Sequence, residues 1–341
     1  MSFLPADSSA LLQLRDLLSS PRSCAIVTHY NPDGDAMGSS LGLMGALQAL
    51  GHTAQVVLPN TPASFLHWMP GYGSAVAADA HPEQAKTIVR SAEVLFCLDF
   101  NRPDRVGVLE ESLRAAPYKV LVDHHQRPDA FAQIMFSDTA SCATCQMVYD
   151  ILVALKAGDH IDQGVATCLY TGIMTDSGSF RYTSTTPHTL RVAAALMEKG
   201  AVPDHVFSAV FDGNSEQRLK LLGFTLAERM TIYPQFGTAV IVLSEQDLGR
   251  YRFEPGDAEG FVNYGLSVKG VRLAAFFMER PDRVKISMRS KGMLPVDRFL
   301  SAHFDGGGHA NAAGGQSMSP LPEVVARFME LLPPFIAAHP E

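Results

Sequence analysis

Three short apolar runs in this chain break off in acid or imidazole, and nothing else in the sequence restricts the fold as tightly. C-A-I-V-T (24–28) leads into His29, with Asn31, Asp33 and Asp35 close behind. V-L-F-C-L (94–98) leads into Asp99, and K-V-L-V (119–122) leads into Asp123, His124 and His125. A fourth segment, T-G-I-M-T-D-S-G-S-F (171–180), carries Asp176. Short continuous apolar runs suit strands buried on both faces, the habit of parallel sheets. The carboxyl ends of parallel strands face a common crevice where ligands bind. Four carboxylates and two imidazoles gathered there are too much charge to bury unpaired. Divalent metal is the natural counterweight.

The spacing of elements extends this reading. Helices are predicted over 8–19, 36–50, 82–90, 143–156 and 161–174, and strands over 24–29, 54–58, 94–99, 119–123 and 132–136. Phe65–Met69 reads as a short helical turn before Pro70-Gly71, and Gly51 as the residue that stops its helix. This alternation predicts an α/β fold: a doubly wound, mostly parallel sheet as a catalytic domain over 1–190. Helical patterns over 187–199, 203–211 and 215–230 follow with little strand signal, so 191–235 reads as a helical connector. The remainder, 236–341, is a smaller α+β domain. Its expected elements are a strand at 238–243, a helix at 256–267, a strand pair at 271–279 and 283–289, a helix at 296–302, a glycine-rich loop at 304–315 and a last helix at 320–338.

Length and composition agree with two domains. The chain has 341 residues, 47% hydrophobic and 18% charged, which describes a globular protein. A net charge of −8 argues against a broad basic surface for long nucleic acid, though not against a local phosphate site. No apolar run is long enough to span a membrane, and the N-terminus has no signal-peptide pattern, so a soluble cytoplasmic protein is expected. The five cysteines include Cys142 and Cys145 in a C-x-x-C. That spacing fits a redox pair, half a metal site, or two small residues on one helical face. With no second ligand pair at zinc spacing, the last reading is preferred.

Asp33 and Asp35 are two apart, so in an extended loop their carboxylates point the same way toward two neighbouring ions. Asp99, closing a strand, has two oxygens with which to bridge them. Mixed carboxylate and imidazole ligands suit Mn2+, with Mg2+, Co2+ or Fe2+ as other occupants. Two ions about 3.5–4 Å apart are the usual device for phosphoester hydrolysis, polarising a phosphoryl oxygen and activating a shared bridging water. Any one of these acids has an ordinary alternative as a turn or cap residue; six together, each ending an apolar segment, do not. His125 is read either as a contact to phosphate or leaving oxygen, or as a supporting hydrogen bond. Asp123 is assigned to orienting a histidine. Asn31 reaches the phosphate or only caps its loop.

In the second domain, three glycines (306–308) allow backbone N–H groups to approach an anion, with His309 at the rim. Arg289 and Ser290 end a strand where a terminal phosphate can be met, Arg offering a bidentate contact. Lys269, Arg272, Arg280, Arg283, Lys285, Lys291 and Arg298 make the region locally basic. Most of these read as solvated surface. Phe261, Asn263 and Tyr264 fall on the expected helix 256–267, where contact with a base is one reading and core packing the preferred one for the two aromatics.

Taken together, the motifs resemble those of the DHH phosphoesterase superfamily. Asp123-His124-His125 resembles its D-H-H signature, 29–36 its first motif, Asp99 its second and Thr175-Asp176-Ser-Gly its fourth. Gly306-Gly307-Gly308-His309 with Ala312-Ala313-Gly314 is similar to the signature of the DHH-associated C-terminal domain. The resemblance covers about 20–335. It implies one ion on His29, Asp33 and Asp99 and a second on Asp35, Asp99, His124 and Asp176. Gly307, Gly308, His309, Arg289 and Ser290 would hold substrate. The two-domain length is most similar to the bifunctional oligoribonuclease/pAp phosphatase type, which implies short RNAs and 3′-phosphoadenosine 5′-phosphate (pAp) as substrates, Mn2+ as cofactor and a homodimer. Some members cleave linear or cyclic dinucleotides. RecJ exonucleases share the motifs but are usually longer. Phe100-Asn101 stands where many relatives carry small hydroxyl residues. A manganese-dependent inorganic pyrophosphatase, and a non-enzymatic nucleotide sensor, are the competing expectations.

Overall fold

The structure is a computed structural model and describes residues 8–340. It divides into two compact units, Met1–Gly213 and Asn214–Glu341.

The first unit is built on six strands, β1 (Ser23–Val27), β2 (Thr53–Leu58), β3 (Val76–Ala77), β4 (Val94–Leu98), β5 (Lys119–Asp123) and β6 (Ile134–Ser137). All pairings are parallel, in the order β3-β2-β1-β4-β5-β6. Its helices are α1 (Ser9–Leu17), α2 (Gly34–Ala49), α3 (Pro82–Ser91), α4 (Glu110–Ala115), α5 (Thr144–Ala154), α6 (Gln163–Asp176), α7 (Pro187–Glu198) and α8 (Pro203–Phe207). Side chains alternate across the pleat. Ile26, Phe96, Leu98 and Val122 point into a core shared with α1, α2, α5, α6 and α7. Ala25, Val27, Leu95, Cys97 and Leu121 point into a second core with α3 and α4. Strands covered on both faces read as continuous apolar runs: β4 is apolar throughout, β5 is apolar between Lys119 and Asp123, and every residue of both is buried.

This is the doubly wound arrangement expected from the sequence. The chain builds outward from β1 to β3, then returns to lay β4 against the other side of β1. That reversal opens a crevice at the carboxyl ends of β1 and β4. Register sets what faces it: Val27 pairs with Cys97 and Leu98 with Val122. His29, Asp99 and Asp123 therefore emerge level with one another. Gly51 ends α2 at φ 89, as expected of a helix-stopping glycine.

The second unit contains α9 (Glu216–Phe224), β7 (Met230–Tyr233), β8 (Thr238–Leu243), α10 (Glu245–Arg250), α11 (Phe261–Leu266), β9 (Leu273–Glu279), β10 (Val284–Ser290), α12 (Val296–His303), β11 (Asp305–His309), β12 (Ala312–Ser317) and α13 (Leu321–Ala337). Its sheet runs β11-β12-β10-β9-β8-β7, parallel only between β8 and β9. Phe277, Ile286 and Met288 pack on α12 and α13 on one face; Ile241, Phe276 and Met278 pack with Phe261 of α11 on the other.

Four local expectations change. The glycine-rich stretch is a hairpin rather than a loop: Gly306 pairs with Gly315 and Gly307 with Gly314. A Cβ at Gly306 would lie 2.6 Å from Gly314 O, so glycine here permits backbone-to-backbone approach. The helix expected over 256–267 starts only at Phe261, because Gly256 and Gly260 adopt φ 103 and 81. The helix over 215–230 ends at Phe224, widens over Thr225–Arg229, and gives way to β7. Helix α10 has no counterpart in the sequence reading, although Ser244 and Asp247 form a reciprocal capping box at its start. Among the described residues no helix is long and apolar enough to cross a membrane.

Candidate metal centre

His29 lies just past β1, and its ring is fixed by Nδ1 against the Tyr30 carbonyl at 2.9 Å. His124 lies just past β5, with Nδ1 against the Ser141 carbonyl at 3.2 Å. A carbonyl only accepts, so Nδ1 is the donor in both rings. Each Nε2 is thereby turned to the carboxylates, the arrangement of ligating histidines. His29 Nε2 stands 3.5 Å from Asp99 Oδ2 and 3.8 Å from Asp33 Oδ2. His124 Nε2 stands 3.5 Å from Asp99 Oδ1, 3.5 Å from Asp176 Oδ2 and 3.8 Å from Asp35 Oδ2.

Asp99 thus sits between the two imidazoles, one oxygen toward each. Its backbone adopts φ 64, a conformation that costs a non-glycine residue about 1 kcal/mol or more. Asp33 is the N-cap of α2: Oδ1 accepts from Asp35 N–H and Ala36 N–H, each at 3.0 Å. Asp35, in the first turn of α2, is buried and accepts from the Thr144 and Cys145 amides at 2.6 and 2.9 Å. Asp176 is the last residue of α6. Asp123, fully buried, holds His125 twice, through the ring Nδ1 at 2.7 Å and the backbone N–H at 3.1 Å.

Two groups of three result, His29–Asp33–Asp99 and Asp35–His124–Asp176, each offering ligand atoms within 4.8 Å of one another. A third, Asp99–Asp123–His125, adjoins them. Protonation reflects the crowding. Burial, with Asp99 and Asp176 nearby, pushes the Asp35 carboxyl well up. Burial also pushes Asp176 up to about 6. Burial acts against charge on Asp99 too, but its contacts with His124 and His29 outweigh that and hold it well below the usual range. The His29 imidazole is disfavoured as a cation by burial, yet Asp33 and Asp99 raise it to about 10. His124 is raised in the same way by Asp99 and Asp176 against its burial. Protons here occupy the positions that a cation fits, and the oxygen-rich, thiolate-free donor set suits a hard or borderline divalent ion.

The other residues singled out from sequence have definite places. Asn31, at φ 56, donates its amide to Asn60 Oδ1, and its own Oδ1 accepts from Asn60 Nδ2. Arg289 shares one face of β10 with Lys285 and Ser287, where they line a pocket with Phe253, Glu259 and Gly260. Ser290 is buried; its hydroxyl donates to Leu294 O and accepts from Asn311. Gly307, Gly308 and His309 belong to strand β11. Cys142 and Cys145 are buried free thiols. Ser141, Thr144 and Asn60 were not anticipated. Ser141 directly precedes the C-x-x-C and Thr144 lies within it, so the motif drew attention to thiols and away from hydroxyls.

Residues 23–173 match the DHH family, N-terminal domain, and residues 235–338 match the DHHA1 domain. The chain is 32% identical over 290 residues to the bifunctional oligoribonuclease and PAP phosphatase NrnA of Thermus thermophilus, covering 85% of this chain and 82% of that protein. It is 25% identical over 292 residues to the protein of the same name from Bacillus subtilis, covering 85% and 88%. An exopolyphosphatase-related protein from Bacteroides fragilis has a similar structure, with TM-score 0.93, 34% identity and 97% of each chain covered. RecJ from Thermus thermophilus, solved in complex with Mn2+, shares the fold at TM-score 0.53 and 13% identity, over 98% of this chain and 56% of that one. The chain belongs to the DHH family, and it is a metal-dependent hydrolase of phosphoester bonds.

Proposed function

We propose that this protein hydrolyses short oligoribonucleotides to mononucleotides and pAp to AMP, with two Mn2+ ions as its working cofactor. The observation that carries the reading is the pair of three-residue groups, one containing Asp99 and the other reaching it through His124. His29, Asp33 and Asp99 would hold one ion, and Asp35, Asp99, His124 and Asp176 the other. Divalent ions held by these residues would supply Lewis-acid polarisation of the phosphoryl group and a water-derived nucleophile at neutral pH. The protein's own residues do the rest. Asp99 sets the separation of the two halves through its two oxygens. Asp123 fixes the His125 ring by Nδ1, leaving Nε2 to serve the phosphate or the leaving oxygen, as acceptor when the ring is neutral and as donor when it carries both protons. On β10, Arg289 takes a terminal phosphate, with Lys285 on the same face adding charge. The backbone of Gly307 and Gly308 and the side chain of His309 complete that phosphate-binding region. Asn31 borders the catalytic loop. Ser290, through Leu294 and Asn311, supports the strand end beside Arg289.

The substrate choice is supported by the names of the two relatives above. Relatives named cyclic-di-AMP phosphodiesterase are also similar, but this chain spans only 46% of their length. We expect a cytoplasmic homodimer, a state that light scattering of the purified protein measures.

The test is a parallel assay with added Mn2+ on pApA, pAp, cyclic di-AMP, a 24-mer RNA and pyrophosphate. Turnover confined to pApA and pAp is expected. Turnover of pyrophosphate alone would keep the metal centre and discard the substrate assignment. Asp99→Ala is expected to abolish turnover on all substrates while its circular dichroism matches wild type. An active Asp99→Ala protein would sink the two-ion reading.

A further inference from the structure

The short segment Ser141–Cys145 touches three of the six clustered side chains, and its contacts fall on one side of Asp99. Thr144 N–H and Cys145 N–H donate to the two oxygens of Asp35. Thr144 Oγ1 donates to Asp99 Oδ1 at 3.0 Å, the same oxygen that faces His124. The Ser141 carbonyl accepts from His124 Nδ1. The other half is organised without this segment. Asp99 Oδ2 faces His29, whose ring is held by Tyr30 O, and Asp33 is held as the cap of α2.

The local structure explains why the segment is available. Helix α5 starts at Thr144, and its N-cap residue, Ala143, has no side chain with which to satisfy the first-turn amides. Those donors need acceptors, and Asp35, on α2, provides them. The segment is itself pinned from behind. Gln146 Nε2 donates to Ser141 Oγ at 3.2 Å, and Thr189 Oγ1 donates to Gln146 Oε1 at 2.7 Å. Thr189 belongs to the capping box of α7. Ser141, Thr144, Gln146 and Thr189 are all buried. A carboxylate has about four lone-pair sites, so fixed donors on one edge orient it and still leave oxygen lone pairs for an ion.

We propose that Thr144 is a positioning residue for one half of the metal centre. Its amide and hydroxyl together set Asp35 and the inner oxygen of Asp99, while Ser141 sets His124. The Asp35–His124–Asp176 site therefore depends on this clamp, whereas the His29–Asp33–Asp99 site meets the clamp only through the shared Asp99 carboxylate, whose other oxygen faces His29. The inference rests on the two-ion reading above.

Calorimetric titration of the full-length, metal-free protein with Mn2+ tests it, comparing wild type, Thr144→Val and Thr144→Ser. Valine keeps the shape and the backbone amide but removes the hydroxyl. Loss of an outer hydrogen-bond partner of a metal ligand typically weakens binding about 10–100-fold, and that loss is expected to fall chiefly on the site facing the Asp99 oxygen that Thr144 holds, the one with His124. Thr144→Ser is expected to restore it. In an Asp33→Asn background, which disables the other site, Thr144→Val is expected to weaken the one remaining ion by the same factor. Should Thr144→Val fail to fold, as judged by circular dichroism, Thr144→Ala repeats the titration. A variant with a lower Tm but two unchanged sites overturns the inference and leaves Thr144 merely structural. Equal loss at both sites overturns the asymmetry. Wild-type protein that binds no divalent ion overturns the two-ion reading, and this inference with it.

Discussion

Asp33 uses one carboxylate oxygen to cap α2 and turns the other toward His29, so its two tasks separate by substitution. Asparagine caps a helix about as well as aspartate, whereas alanine costs about 1 kcal/mol. Asp33→Asn is expected to keep the cap of α2 and lose activity. Asp33→Ala is expected to lose activity and to unfold earlier. Equal midpoints for the two variants would show that the cap contributes nothing. His29 gives a pH signature. Its pKa is raised to about 10 in the metal-free fold from a reference value of 6.5. A raised histidine stabilises the fold fully below about pH 6.5, and that stabilisation fades as the pH climbs toward 10. The metal-free Tm is therefore expected to fall across this window. Ions must displace the same proton, so Mn2+ affinity should rise over the same range, with proton release measurable by calorimetry in buffers of different ionisation enthalpy. A Mn2+ affinity that is flat with pH would remove His29 from the ligand set.

At the scale of elements, the centre depends on how closely α2, α5 and α6 pack. Gly172 on α6 lies against Cys145 of α5 and Asp35 of α2: a Cβ there would collide with Cys145 Sγ and lie 2.9 Å from Asp35 Oδ1. Gly38 on α2 is equally confined, with its added Cβ 2.5 Å from Cys168 O. Overpacking a buried contact costs about 1–3 kcal/mol. Gly172→Ala is expected to destabilise by that amount and to weaken Mn2+ binding, because the displaced atoms belong to Asp35. Urea melts and a Mn2+ titration on the same sample check both. Lost stability with unchanged metal binding would uncouple the helix packing from the site. Cys145 of the C-x-x-C packs here as a compact group; Cys142, also a buried free thiol, lies before the start of α5, so the two do not share a helical face as the sequence suggested.

For the whole molecule, the proposed function predicts that the two units contribute separable chemistry. Arg289→Ala in the second unit is expected to raise KM for pAp about 10–100-fold, the scale of one charge-assisted hydrogen bond, while Mn2+ binding stays at the wild-type value. A variant with unchanged KM would exclude Arg289 from substrate binding. The sequence by itself determined the parallel sheet of the first unit and the gathering of His29, Asp99, Asp123 and His124. Each sits at or just past the end of its own apolar strand, and β1, β4 and β5 end together once they pair in parallel. The glycine-rich hairpin escaped that logic, because a glycine strand carries no alternation of side chains to read. Helix α10 was missed as well, although the capping box of Ser244 and Asp247 at its start leaves a signal in the sequence. What only the tertiary structure decided is how the ligands are held. Asp35 meets the Thr144 and Cys145 amides across 109 and 110 residues of sequence, and Asp99 meets the Thr144 hydroxyl across 45. Contacts between elements so far apart leave no spacing, period or motif in the chain; they exist only once the helices have closed on the sheet.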